Sequence, residues 1–142
     1  MAVDINPDAV ANTRANAARH GLLHQISAFQ GDVYEPLSPT DQFDTIFWNT
    51  PFAYLESAEL SHLEKSVLDP DYQATKRFVV ESKDHLKPNG RLLIGFSKTL
   101  GEYDLLQEFL TEAGFTAKVL ASTQSIEKYP VSFELIEARP SK

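Results

Sequence analysis

Apolar positions along the chain recur with two periods, near helical in some stretches and continuous or alternating in others, and the switches between them outline a series of short elements. Ala2–Ile5 reads as the end of a strand. Asn6 then suits a helix N-cap, Pro7 the first helical position, and Asp8 the positive end of the helix dipole. That helix is predicted to run to about Arg19, with Ala9, Val10, Thr13 and Ala17 inward, Arg14 and Arg19 outward, and Gly21 as its stop. Ile26–Phe29 is a second strand, closed by Gly31-Asp32 and followed by a Pro-rich loop at 35–39. Thr45–Trp48 is a third, almost wholly apolar, which predicts burial on both faces as in a parallel sheet. It stops at Asn49-Thr50-Pro51-Phe52. The stretch 53–69 is ambiguous, with apolar residues near helical spacing but many charges between them. A helix from about Tyr72 to Leu86 follows, with Phe78, Val79 and Leu86 inward and Pro88-Asn89-Gly90 as its stop. Arg91–Ser97 is a fourth strand and Tyr103–Ala113 a helix ended by Gly114. Phe115–Ala121 and Val131–Ala138 are two consecutive strands with no helix between them, which predicts an antiparallel pair at one end of the sheet. The class is α/β.

Composition narrows the picture. The chain has 142 residues, 42% hydrophobic and 23% charged, ordinary values for one globular domain spanning residues 1–142. No apolar run approaches the ~20 residues of a membrane helix, so no membrane is expected. Cysteine is absent, which excludes disulfides and thiolate metal sites and makes the cytoplasm the default compartment. The net charge of −7 is opposite in sign to what a broad basic surface for duplex nucleic acid needs, which leaves room for a local basic groove only. His20, His24, His62 and His85 are scattered and read as exposed polar residues, so no metal is expected. Trp48 reads as core, and Lys65, Lys76, Arg77 and Lys83 as a solvated face. Tyr54 and Glu56 fit either a substrate lid or a surface loop, and Ser97-Lys98 is too weak a pattern for a catalytic pair.

Asp4, Asp32 and Asn49 all stand where apolar strands end. Ligands of open α/β sheets bind at the carboxyl ends of strands, so these side chains are expected to face one crevice, although each alone is equally a cap or turn residue. With their surroundings they carry a resemblance. Val3-Asp4-Ile5-Asn6-Pro7-Asp8-Ala9-Val10, with Asn16 downstream, resembles the second strand and following helix of class I S-adenosylmethionine-dependent methyltransferases. Gly31-Asp32 resembles their adenine-side motif, and Phe43–Phe52 the strand that ends in Asn-Pro-Pro-Tyr/Phe in enzymes methylating planar nitrogens. Leu86–Leu93 is similar to the helix-to-strand turn after it. The nearest subgroup is the release-factor glutamine methyltransferases and related small-domain rRNA methyltransferases. The resemblance implies a Rossmann-like, mostly parallel sheet with an antiparallel C-terminal hairpin. It implies S-adenosylmethionine as cofactor, held by Asp4 at the ribose, Ile5, Asp32 and Val33 at the adenine, and Asn49. It implies acceptor binding by Asn49, the carbonyl of Thr50, Pro51 and Phe52. The acceptor would be a release-factor-like protein glutamine or an rRNA base, and the acidic charge tilts toward protein.

Two departures stand out. The middle proline of the family's turn is Thr50 here, which predicts a looser site. The family's first strand and Gly-rich turn have no counterpart before Asp4, so the fold is expected to be truncated at its N-terminus, with the gap closed by the remaining strands or by strand pairing with a second copy. The alternative function is a non-catalytic methyltransferase-like remnant that works by self-association or partner binding. A dehydrogenase also needs the Gly-rich turn and leaves Asn49–Phe52 unexplained.

Overall fold

The computed structural model describes residues 1–56, 59–126 and 128–141. They form two compact units, Met1–Ser38 and Pro39–Lys142.

In the first unit, β1 (Ala2–Asp4) leads into α1 (Pro7–Arg19) and then β2 (Ala28–Gln30). β1 and β2 pair in parallel, with Val3 opposite Phe29 and Asp4 opposite Gln30. Asn6 caps α1 as expected, its side chain accepting the Asp8 N–H at 2.9 Å. Gly21, at φ +69°, turns the chain after the helix. Val10 and Ala17 are buried. Arg14 does not point away from the unit: its guanidinium Nε donates to the Ala28 carbonyl at 3.2 Å. β2 starts two residues later than the apolar run implied, because the N–H groups of Gln25 and Ile26 turn back to the Leu22 carbonyl.

The second unit contains β3 (Phe43–Asn49), β4 (Ala53–Leu55), β5 (Leu68–Pro70), α2 (Gln73–His85), β6 (Leu86–Phe96), α3 (Tyr103–Glu112), β7 (Phe115–Gln124) and β8 (Ser132–Pro140). Its main sheet has the order β3-β6-β8-β7, with β3 parallel to β6 and the β7–β8 hairpin antiparallel. The ambiguous stretch resolves into β4 and β5, paired in parallel, and a single 3-10 turn at Glu64–Ser66; residues 57 and 58 lie outside the described residues. The hairpin strands run longer than predicted because Ser125 closes their open end, its hydroxyl accepting the Val131 N–H at 2.9 Å. Lys87–Gly90 do leave the regular ladder, as a register shift between the pairs Phe43–Leu86 and Thr45–Arg91, but the chain there is extended.

The core of this unit lies between the sheet and α2 and α3. Leu92, Ile94, Phe96, Ile136, Val79, Leu106 and Leu110 are almost wholly removed from water. Each such side chain contributes roughly 1.5–3 kcal/mol. Trp48, half-buried, packs at the edge of this core by meeting the buried Phe78 edge-on at 5.1 Å. The expectation that β3 is buried on both faces fails. Phe47, pointing opposite to Trp48, is 60% exposed, because burial on both faces needs a covering layer on each side. Among the described residues β3 carries a ladder to β6 alone, and β1 a ladder to β2 alone.

Candidate functional site

The Asn49–Phe52 turn sits at the carboxyl end of β3. Parallel pairing sets Asn49 opposite Gly95 of β6, and the sheet's alternation puts Asn49 on the same face as Phe47. Thr50 is 1% exposed. Both its donors reach one acceptor, the Gly95 carbonyl: the backbone N–H at 3.1 Å and the hydroxyl at 3.0 Å. The turn is therefore not loosened by losing a proline, since a proline there could make neither bond. Pro51 is buried, and Phe52 meets Phe133 edge-on at 5.8 Å. Asn49, Gly95, Phe47, Phe133 and Leu135 line an open cavity of about 320 Å³ on this face.

Two residues that the sequence reading did not single out hold the turn from below. Tyr72 is fully buried, and its hydroxyl donates to the Phe52 carbonyl. The same oxygen accepts the N–H of Glu102, which opens α3, at 2.9 Å. Burial raises the Tyr72 phenol above its ordinary pKa and keeps it a donor. Asp71 and Tyr72 are left-handed, at φ +52° and +49°, a conformation that costs on the order of 1–3 kcal/mol per residue. Asp69 offsets this by capping α2: its carboxylate accepts the N–H groups of Ala74 at 3.1 Å and Thr75 at 2.8 Å. An aspartate ahead of a helical run is a recognisable cap signal, so Asp69 was findable; the left-handed Tyr72 leaves no mark in composition or period.

Asp4 and Asp32 belong to the N-terminal unit. Asp4 ends β1, is exposed, and accepts the Asn6 N–H on one carboxylate oxygen at 2.8 Å. The Gly31 N–H donates to the Asp4 carbonyl at 3.1 Å, so the two strand ends leave the sheet side by side. At Gly31 a Cβ would stand 2.6 Å from the Pro36 ring. The Asp32 N–H donates to Glu35 at 3.2 Å, and Val33 follows at φ +52°, an uncommon conformation for a β-branched residue. Ile5 and Val33 are both half-buried.

The remaining polar features are structural. Ser97 is buried and donates to the Ser132 carbonyl at 2.7 Å, while the Lys98 ammonium lies 4.1 Å from the Tyr103 ring centre. His85, expected on the surface, is buried, with Nδ1 2.9 Å from the Asp41 carbonyl. Tyr54 lies on β4 and reaches Asp71 at 3.4 Å. Glu137 is ringed by Arg91 and Arg139 at 2.9 Å and Lys118 at 3.3 Å. Hydrogen bonds from the two guanidinium groups hold its carboxyl at about 2, well below the ordinary value. Among the described residues no group of acids and histidines is arranged to hold a metal, and no helix is long and apolar enough to cross a membrane.

A mixed α/β arrangement with parallel ladders at β1–β2 and β3–β6 that closes with an antiparallel hairpin is the architecture of a Rossmann-like class I methyltransferase. The chain belongs to the methyltransferase small domain family, whose profile matches residues 1–120. It is 30% identical over 121 residues to a release factor glutamine methyltransferase from Koribacter versatilis, covering 76% of this chain and 42% of that protein. It is 28% identical over 107 residues to a ribosomal protein uL3 glutamine methyltransferase from Burkholderia pseudomallei, covering 66% of this chain and 35% of the relative. The chain thus spans less than half the length of these relatives. A ribosomal protein L11 methylase from Lactobacillus delbrueckii superimposes with a TM-score of 0.62 at 12% identity, over 99% of this chain and 57% of that one. A Streptococcus pneumoniae chain solved with S-adenosyl-L-methionine superimposes with a TM-score of 0.60 at 16% identity, over 99% of this chain and 54% of that one. S-adenosylmethionine is the cofactor of this class. The donor set fits its adenosine moiety: an exposed carboxylate at the end of β1 can accept hydroxyl hydrogens, and a second acid follows the neighbouring strand.

Proposed function

We propose that this chain carries the adenosine-binding and acceptor-binding residues of an S-adenosylmethionine-dependent N-methyltransferase, and that the acceptor is the side-chain amide of a protein glutamine. The Asn49–Phe52 turn, pinned to Gly95 by Thr50 and to Tyr72 through the Phe52 carbonyl, carries this reading. When bound, the cofactor supplies a methyl group already activated by its sulfonium charge. The work left to the protein is positioning. Asp4 accepts hydrogen bonds from the ribose hydroxyls, and Asp32 from the adenine amino group, with Ile5 and Val33 beside the ring. The Asn49 side-chain oxygen accepts one N–H of the acceptor, and the Thr50 carbonyl accepts the other. Pro51 keeps Thr50 extended, and Phe52 packs on the planar group. The two acceptors fix the direction of the nitrogen lone pair. The amide nitrogen that takes the methyl group would release its proton to solvent. The names of the glutamine-modifying relatives and the net charge of −7 both favour protein over an rRNA base.

The test is thermal unfolding with and without S-adenosylmethionine, followed by transfer of labelled methyl to a glutamine-containing release-factor fragment. Ligand at 100 times its Kd stabilises by about 2.7 kcal/mol, which Asp4→Ala should remove. Asn49→Ala should leave the shift and sharply reduce transfer. Transfer that survives Asn49→Ala unchanged, or no shift at millimolar ligand, overturns the proposal.

A second reading is favoured by β3 pairing with β6 alone among the described residues and by the exposure of Phe47: a non-catalytic chain that self-associates, with a strand of a second copy pairing there. Light scattering across a concentration series decides it. A monomer at every concentration removes this reading.

A further inference from the structure

Asn49 is an exposed side chain at a strand end, where an amide would ordinarily sample several rotamers. Across the ladder there is room for one such placement, and the Asn49 amide occupies it. The Asn49 side chain lies over the Cα of Gly95: a Cβ built on Gly95 would overlap Asn49 Oδ1 and stand 3.2 Å from both Asn49 Cα and Cγ. Gly95 does not occupy the left-handed region, so its backbone conformation does not call for glycine; the space above it does. The same residue presents the carbonyl on which Thr50 places both its N–H and its hydroxyl. Gly95 therefore touches the turn twice, once through the hydrogen where a side chain would be and once through its oxygen. Its neighbours Ile94 and Phe96 are sealed in the core, so this seat is anchored on a buried strand.

We infer that Gly95 is a positioning residue for the acceptor amide: the missing Cβ is the seat on which Asn49 lies, and Thr50 locks the turn to the Gly95 carbonyl in place of the family's proline. The inference deepens the proposed methyl transfer and rests on it for its kinetic part, while the seating of Asn49 is testable without it.

The experiment is Gly95→Ala, read in two ways. Asn49 Oδ1 is the end of an exposed side chain and can swing aside, and the Asn49 Cα need give by only a few tenths of an ångström, so the fold is expected to survive. In the wild type, NMR should show a nuclear Overhauser contact between the Asn49 side-chain NH2 and the Gly95 Hα. In Gly95→Ala the Asn49 amide resonances should shift toward those of a freely rotating side chain. Methyl transfer should fall about 100-fold in kcat, the scale expected for a displacement near 1 Å, with the affinity for S-adenosylmethionine unchanged. In an Asn49→Ala background Gly95→Ala should cost nothing further, because the two act as one unit. If folded Gly95→Ala keeps the wild-type Asn49 resonances, or if its loss adds fully to that of Asn49→Ala, the inference is overturned. If the wild type transfers no methyl group, the proposed function fails and the resonance test alone decides the seat. If Gly95→Ala does not fold, Thr50→Val decides it: the same Asn49 resonances must move, and their staying in place overturns the inference.

Discussion

Replacing Tyr72 with phenylalanine isolates one oxygen atom at the centre of the second unit. The ring is fully buried, 5.4 Å from the Tyr54 ring and 6.2 Å from Phe96, and phenylalanine keeps those contacts and leaves no sizeable void. What disappears is a hydroxyl shared by two backbone groups, the Phe52 carbonyl and the Glu102 N–H. α3 has no side-chain cap of its own, so the Glu102 N–H has no substitute there. Stranding a buried polar group costs about 1–3 kcal/mol; with two groups, both partly buried, the loss should be about 2–3 kcal/mol. At an m-value of roughly 1–3 kcal/mol/M, the urea midpoint should fall by about 1 M. Trp48 is the chain's single tryptophan and packs on Phe78 inside the same unit, so its fluorescence reports this unit's unfolding. A midpoint unchanged within error would refute the reasoning, since it would mean that water or relaxation satisfies both groups. The variant should also weaken methyl transfer, because the Phe52 carbonyl loses its tether.

Two other perturbations test separate parts of the fold. Asp69→Ala strips the cap from α2 and strands two N–H groups beside a residue 2% exposed, so it should cost about 2 kcal/mol in the same urea assay. Glu137 has a folded-state pKa of about 2 against an ordinary 4.5, so its contribution is present above 4.5 and is lost as pH falls toward 2. Glu137→Gln should therefore be less stable than wild type near neutrality, and the difference should shrink as the pH is lowered through that window; a constant gap would count against it.

Much of the local structure was legible from residues a few positions apart. The Asn6-Pro7-Asp8 start and Gly21 stop of α1, the span of α3 and the final antiparallel hairpin all follow from capping chemistry and hydrophobic period. The order of the strand-end residues Asp4, Asp32 and Asn49 carried the family resemblance, because those positions are spaced by chain topology. The sequence could not show what depends on atoms far apart in the chain. The exposure of Phe47 depends on which faces of β3 are covered. Arg14 folds back onto Ala28, and His85 is buried beside Asp41, because distant backbone carbonyls offer partners that no local pattern announces. Thr50 reads as a weakened proline in sequence; it becomes a lock only because Gly95, 45 residues later on the neighbouring strand, presents its carbonyl to both Thr50 donors. Propensity and period act over one or two turns of chain, and so they determined the elements. Steric room, covering layers and shared acceptors arise when strands are laid side by side, and so tertiary structure alone decided how the turn at Asn49 is held.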